Sequence, residues 1–377
     1  MLNRRNLRIK VMQSLFSLHQ SKEAQYELSI EGFGETFSPD LNSMQVQDKV
    51  LLSSQKRQAI KLFEKAFAKG ETSVDHADER VKKVVNGTFL EYSKQVKKDT
   101  DFFLKNLVSE VEKIYDHYIS VLCLVTAFAE AAEADKKISH QNLLKNSWIK
   151  ALQNSETLKK EGLKLNRNWK NNLDQVKLWF RDVIRQDSEY QNYLDKKSIS
   201  IEEQKKFINH LLRRIILGKT VIHDHFESEV LRWAEDKEIV KGLVEKTIKS
   251  FDPEVNSEIA LNTLSLNWDE DKTFIEKLYK GVCNLDAGHK ELIANNTRNW
   301  EVERLPLTDR IILEMAIAEL LLFPSIPVKV TINEYIEVAK MYSTPQSPQF
   351  INGVLDNLRK DLEKDNQIRK QERTRKP

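Results

Sequence analysis

Turn-forming residues are scarce in this chain: its 377 residues include ten glycines and eight prolines. A sheet protein breaks its strands with such residues roughly every 8–12 positions, and this sequence holds too few of them. No run alternates apolar and polar residues with period two. Apolar side chains recur instead at steps of three and four. A charged fraction of 31% beside a hydrophobic fraction of 40% supplies the solvated outer faces that amphipathic helices need. The pattern predicts an all-α fold and excludes collagen-like, mucin-like and disulfide-framed classes.

The spacing predicts a first helix over 3–20, with Asn3 as its cap and Leu7, Val11, Leu15 and Leu18 as one stripe, widened by Ile9, Met12 and Phe16. Residues 21–43, which hold Gly32, Gly34 and Pro39, read as a linker. Two polar helices over 44–69 and 74–98 follow, then a stronger one over 99–134 and others near 140–160, 171–195 and 202–217. A helix capped by Thr308 and running to Phe323 is apolar nearly all round, which places it at the centre of a helical domain. Pro324 ends it. Residues 331–342 carry Ile332, Tyr335, Ile336 and Ala339 on one face, and Ser347-Pro348 opens a final amphipathic helix. Gly353 inside that helix costs about 1 kcal/mol against alanine, which predicts a close backbone approach. A degenerate repeat also runs through the second half at an offset of 67 residues. Phe207, Ile208, Leu211, Ile215, Phe226, Trp233, Val244 and Ile248 map onto Phe274, Ile275, Leu278, Val282, Ile293, Trp300, Ile311 and Met315.

Little in the sequence points to catalysis. Gly218-Lys219-Thr220 ends like a phosphate-binding loop, but Arg213 stands where the first glycine belongs. His223 and His225, two apart on a helix, face different sides, which argues against joint metal ligation. Cys123 and Cys283 lie far apart with no CxxC, and predict reduced thiols. GxSxG, HExxH and GxGxxG are all missing. The expectation is a non-enzyme with no catalytic residue, cofactor or metal. No stretch approaches the ~20 apolar residues of a membrane span, which predicts a soluble cytoplasmic protein.

Charge is unevenly placed. The chain carries +3 overall, yet residues 1–22 hold five basic residues and no acid, and residues 364–377 hold six basic and two acidic ones. Arg4, Arg5 and Arg8 crowd the first helical turns, where cations oppose the helix dipole unless an anion compensates them. Phe350, near the start of the last helix and off its apolar stripe, is placed to stack on an unpaired base.

Taken in order, NRRNLRIKVMQSLF, DRIILEMAIAEL, IPVKVTINEYIEVAK and FINGVLD resemble the NusB family of transcription antitermination proteins. The strong match covers residues 1–20 and about 298–358, and a weaker one reaches back to about 273. The resemblance implies a NusB-like helical bundle that binds single-stranded boxA-type RNA together with NusE, a small-subunit ribosomal protein, as part of the RNA polymerase antitermination complex on ribosomal RNA operons. It places Arg4, Arg5 and Arg8 on the arginine-rich RNA positions, and Lys329 and Phe350 on further RNA-contact positions. Phe16, Glu303 and Asp309 fall where the family meets NusE or borders that surface. Two departures stand out: Asn6 replaces the third arginine of the usual run, and Gln346 replaces an acid just before Ser347.

The expected organisation is then a first core helix in 1–20, an inserted helical region in 21–200 with a flexible linker near 21–43, the rest of the core in 201–363, and a basic, disordered tail in 364–377. Two other functions compete with the RNA-binding one. One is a helical interaction scaffold that binds no RNA. The other is an RNA methyltransferase bearing a NusB-like domain, which would need a cofactor-binding sheet that this chain lacks.

Overall fold

A computed structural model describes residues 2–40, 42, 46–230, 232–297 and 305–368. The protein is all-α, with no strand among the described residues. It divides into two compact units. Unit 1 comprises residues 1–4 and 109–271, and unit 2 comprises 5–108 and 272–377. The units do not follow the expected 21–200 insertion, because residues 201–271 group with unit 1 and residues 21–108 with unit 2. The linker expected over 21–43 is corrected as far as residue 36. Helix α1 runs from Arg4 to Thr36 through both Gly32 and Gly34. It continues because Phe33 and Phe37 bury their rings beside Phe63 of α2 (Lys49–Ala68) and Phe89 of α3 (Glu79–Ala134), in a core with Ala59, Val81 and Val85. Burying two such rings gains about 1.5–3 kcal/mol each, which offsets two helical glycines at about 1 kcal/mol each. Helix α3 is one helix of 56 residues where the spacing predicts two. One stretch of it is long and apolar enough to cross a membrane by composition, contrary to the sequence expectation, and 72% of that stretch is buried inside the protein.

Unit 1 holds α4 (Gln141–Leu144), α5 (Ser147–Asn154), α6 (Glu156–Lys164), α7 (Leu173–Trp179), α8 (Ser188–Leu194), α9 (Ile201–His210), α10 (Thr220–Glu229) and α11 (Trp233–Ser250). Two π-helical turns, Phe180–Ile184 and Leu211–Ile216, follow α7 and α9 directly. Several of its buried polar groups find partners distant in sequence. Tyr118 and Thr247 share a hydrogen bond at 2.7 Å, and the Trp148 and Trp169 indoles donate to the carbonyls of Ile248 and Ser120. His223 and His225 do diverge: His223 approaches Glu227 at 3.5 Å, whereas His225 approaches Glu229 and packs on Trp169.

Unit 2 continues with α12 (Trp268–Cys283), whose part from Lys272 belongs to it, then α13 (Ala287–Asn296), α14 (Leu307–Leu322), α15 (Val328–Tyr342) and α16 (Ser347–Lys364). Helix α14 is central, as its composition predicts, and packs on α13, α15 and α16. It starts one residue before Thr308, with Pro306 at the cap position. Gly353 lies exposed in α16, and nothing stands within 4 Å of where its Cβ would be, so the close approach that it predicts is not there. Gly353→Ala is therefore expected to raise stability by about 0.5–1 kcal/mol, read as a higher midpoint in chemical denaturation.

The offset repeat is visible in the helices. Helices α9 and α10 begin at Ile201 and Thr220, and α12 and α13 begin at Trp268 and Ala287, 67 residues later in both cases. Seven of the eight paired apolar positions are buried in both copies. The eighth pairs Trp233 with Trp300, and Trp300 lies outside the described residues.

Candidate nucleic-acid interface

The arginine-rich start of α1 separates into three different environments. Arg8 is 2% exposed and faces Glu319 of α14, which is 0% exposed. The guanidinium donates twice to that carboxylate, Nε to Oε2 and Nη2 to Oε1, both at 2.7 Å. Thr331 and Tyr335 of α15 donate to the same two oxygens at 2.9 and 3.0 Å. The guanidinium also lies over the rings of Phe274 and Tyr335. Burial acts to lower the Arg8 pKa, but the hydrogen bonds and charge of Glu319 more than reverse it, so it is raised. The buried Tyr335 phenol is pushed far up, first by desolvation and then by Glu319. An arginine held in this way is unavailable to a phosphate. The expectation that Arg8 contacts RNA is corrected: it bolts α1 to α14 and α15.

Arg5 is different. Its side chain is 40% exposed and forks onto Glu334 of α15, Nε at 3.0 Å and Nη2 at 2.9 Å. The same carboxylate lies 3.5 Å from Arg8. The Glu334 bond raises the Arg5 pKa, so the guanidinium stays charged, and three of its five N–H donors remain for other acceptors. Arg4, in unit 1, is part-exposed and pairs with Asp271 at 3.3 Å.

Lys329 is exposed in the first turn of α15, five residues before Glu334. Phe350 is half-buried in the first turn of α16. It lines a cavity of about 670 Å³ together with Pro306, Thr344, Gln346 and Gln349. The fold thus brings Arg5 onto α15 at Glu334, on the helix that also carries Lys329. Phe350 follows the far end of α15, roughly 15–20 Å away at ~1.5 Å of rise per residue.

The acidic positions also separate. Asp309 is 2% exposed. It accepts hydrogen bonds from the hydroxyls of Ser343 and, at 2.6 Å, Ser347. The Ser343 and Ser347 hydroxyl oxygens lie 2.9 Å apart, and Thr344 bonds Ser347 at 2.8 Å. Asp309 is therefore a clasp for the α15–α16 loop rather than a surface acid, a correction to the partner-contact expectation. Ser347, expected as a helix cap, spends its hydroxyl on this clasp. Glu303 lies outside the described residues. Phe16 is 40% exposed on α1. Sequence reasoning missed Glu319 and Glu334 as organisers. Glu319 carried a signal, being with Glu314 one of the two acids beyond the first turn of a largely apolar helix.

A protein-family model described as the NusB family matches residues 236–360, from α11 into α16. Among curated proteins, the transcription antitermination protein NusB of Salinibacter ruber is 40% identical over 105 residues, covering 27% of this chain and 66% of that protein. Its counterpart in Desulforapulum autotrophicum is 37% identical over 130 residues, 33% of this chain and 91% of its own length. The Bacillus subtilis NusB is 38% identical over 110 residues, 28% and 84% respectively. No solved structure matches.

Proposed function

This chain belongs to the NusB family, and on that premise we propose that it is an RNA-binding transcription antitermination factor, acting in the cytoplasm on ribosomal RNA transcription. Its ligand is single-stranded boxA-type RNA, bound together with NusE within the RNA polymerase antitermination complex. Its role is binding, not catalysis. The observation that carries this reading is the open cavity beside Phe350, with the charged groups Arg5 and Lys329 strung along α15 from it. An extended strand can lay a base on the ring while its phosphates meet the cations. Arg4 is assigned to RNA by the family resemblance alone. Phe16 is the exposed residue offered to NusE, and Asp309 supports the neighbouring loop from behind the surface.

Fluorescence anisotropy with a short boxA-type RNA tests the reading, with a scrambled RNA as control, with and without NusE, over a salt series. Binding should be sequence-selective, tighten with NusE and weaken with salt. Phe350→Ala should lose roughly 5- to 150-fold, the range for one base–aromatic stack at about 1–3 kcal/mol. Arg5→Ala should weaken binding and lower the salt slope by about 0.7, the share of one phosphate contact on a single strand. Wild-type affinity in both variants would remove this site. NusE binding without any RNA affinity would favour the scaffold reading instead.

A further inference from the structure

We propose that a groove on unit 1, lined by Lys206, Arg214 and Lys219, binds the phosphate backbone of single-stranded RNA and gives the transcript a second contact on this protein. The choice of RNA among polyanions rests on the reading of unit 2 given above.

The groove has a volume of about 950 Å³ and lies along α8, α9 and the π turn that follows. The sequence over 196–219 holds Lys196-Lys197, Lys205-Lys206, Arg213-Arg214 and Lys219 against Glu202 and Glu203 alone. The backbone aligns the last two doublets. They are eight residues apart, and two ordinary helical turns take about 7.2 residues. The π turn Leu211–Ile216, closed by Leu217 N–H donating to the Leu212 carbonyl at 2.9 Å, takes up the extra residue. Arg213-Arg214 therefore return to the face of Lys205-Lys206. Such insertions cost helix regularity and recur at functional sites. Gly218 completes the device: a Cβ there would stand 2.4 Å from the Arg214 carbonyl oxygen and 2.8 Å from that of Arg213. Only glycine lets the chain turn so tightly past the π turn and bring Lys219 to the groove.

Several groups at the groove already have a partner. Lys196 pairs with Glu203 at 2.5 Å, His210 with Asp187 at 2.9 Å, and Arg213 with Glu245 at 2.6 Å. Lys206, Arg214 and Lys219 are exposed, and no ion pair engages them among the described residues. Glu189 is the one lining acid left outside those pairs. Three uncommitted cations in a concave wall suit a chain of phosphates.

The repeat supplies an internal control. The positions 67 residues on from Lys206, His210, Arg213, Arg214, Gly218 and Lys219 line a groove in unit 2 as well. There Thr273, Gly281 and Asp286 stand where Lys206, Arg214 and Lys219 do, and Ala318, Leu321 and Leu322 supply apolar walls. Lys277 and Lys280 stand at the positions of His210 and Arg213, so the unit 2 groove keeps two lysines, but the three uncommitted cations of unit 1 have no counterpart there.

The test uses the full chain and two RNAs, a short boxA-type strand and the same element within long unstructured flanks. Lys206→Ala, Arg214→Ala and Lys219→Ala are combined in one variant. It should bind the long RNA at least about tenfold more weakly than wild type, with the salt slope lower by about 2, the share of three phosphates. The short RNA should bind both proteins equally. Equal affinity for the long RNA in both proteins would overturn the groove. A charge-keeping variant (Lys206→Arg, Arg214→Lys, Lys219→Arg) should behave as wild type, and a loss as large as that of the alanine variant would also overturn it. If the short RNA fails to bind wild type, the reading of unit 2 falls, while the long-RNA comparison still decides the groove.

Discussion

Replacing Arg8 with alanine is expected to lower the stability of unit 2 by about 3–5 kcal/mol. The magnitude follows from what is left behind. Glu319 has no solvent exposure, and Arg8 donates two hydrogen bonds to it, beside those from Thr331 and Tyr335, and is its buried counter-charge. Removing the cation strands a carboxylate in the core, whereas removing both charges does not. Arg8→Met with Glu319→Leu should therefore recover much of the loss, since well-packed apolar residues often replace a buried ion pair at little net cost. Thr331 and Tyr335 would still lose their common acceptor in that double variant, which sets a limit on the recovery. Urea denaturation followed by circular dichroism measures both. Domains rarely hold more than about 15 kcal/mol in total, so a loss of this size moves the midpoint far. A loss below about 1 kcal/mol, the range of a solvated surface pair, would instead return Arg8 to the RNA-facing set.

Arg8 also shows where sequence reading stops. Its position in an Arg-rich first turn was legible, and so was its place one turn after Arg4. That an acid 311 residues later stands beneath it was not, because periodicity assigns a residue to a face and says nothing of what packs there. Glu319 showed as a charge in an apolar helix, without a partner. Helix α14 was legible almost entirely, since Ile311, Ile312, Leu313, Met315 and Ile317 leave it no solvent face. The continuation of α1 was illegible for the opposite reason. Gly32 and Gly34 are strong local signals, and they are outweighed by Phe33 and Phe37 packing against helices distant in sequence. The π turn beneath Arg213-Arg214 has no sequence signature at all.

Asp309→Ala is expected to cost about 2–3 kcal/mol and to weaken boxA-type RNA binding with no change in salt slope. The carboxylate is buried and takes the hydroxyls of Ser343 and Ser347, so its loss frees the loop that leads into Phe350. No cation is removed, so the number of phosphates met stays the same. A direct role for Asp309 in gripping a basic partner makes a different forecast: NusE affinity would fall and RNA affinity alone would not. Ser347→Ala separates the two. If Asp309 acts through the loop, Ser347→Ala reproduces part of its effect, and the double variant is less than additive, because both changes break one hydrogen bond at 2.6 Å. If Asp309 instead meets a partner directly, Ser347→Ala leaves NusE binding intact and the two effects add. Additive losses would therefore move Asp309 from the support of the RNA site to the partner surface, beside Phe16.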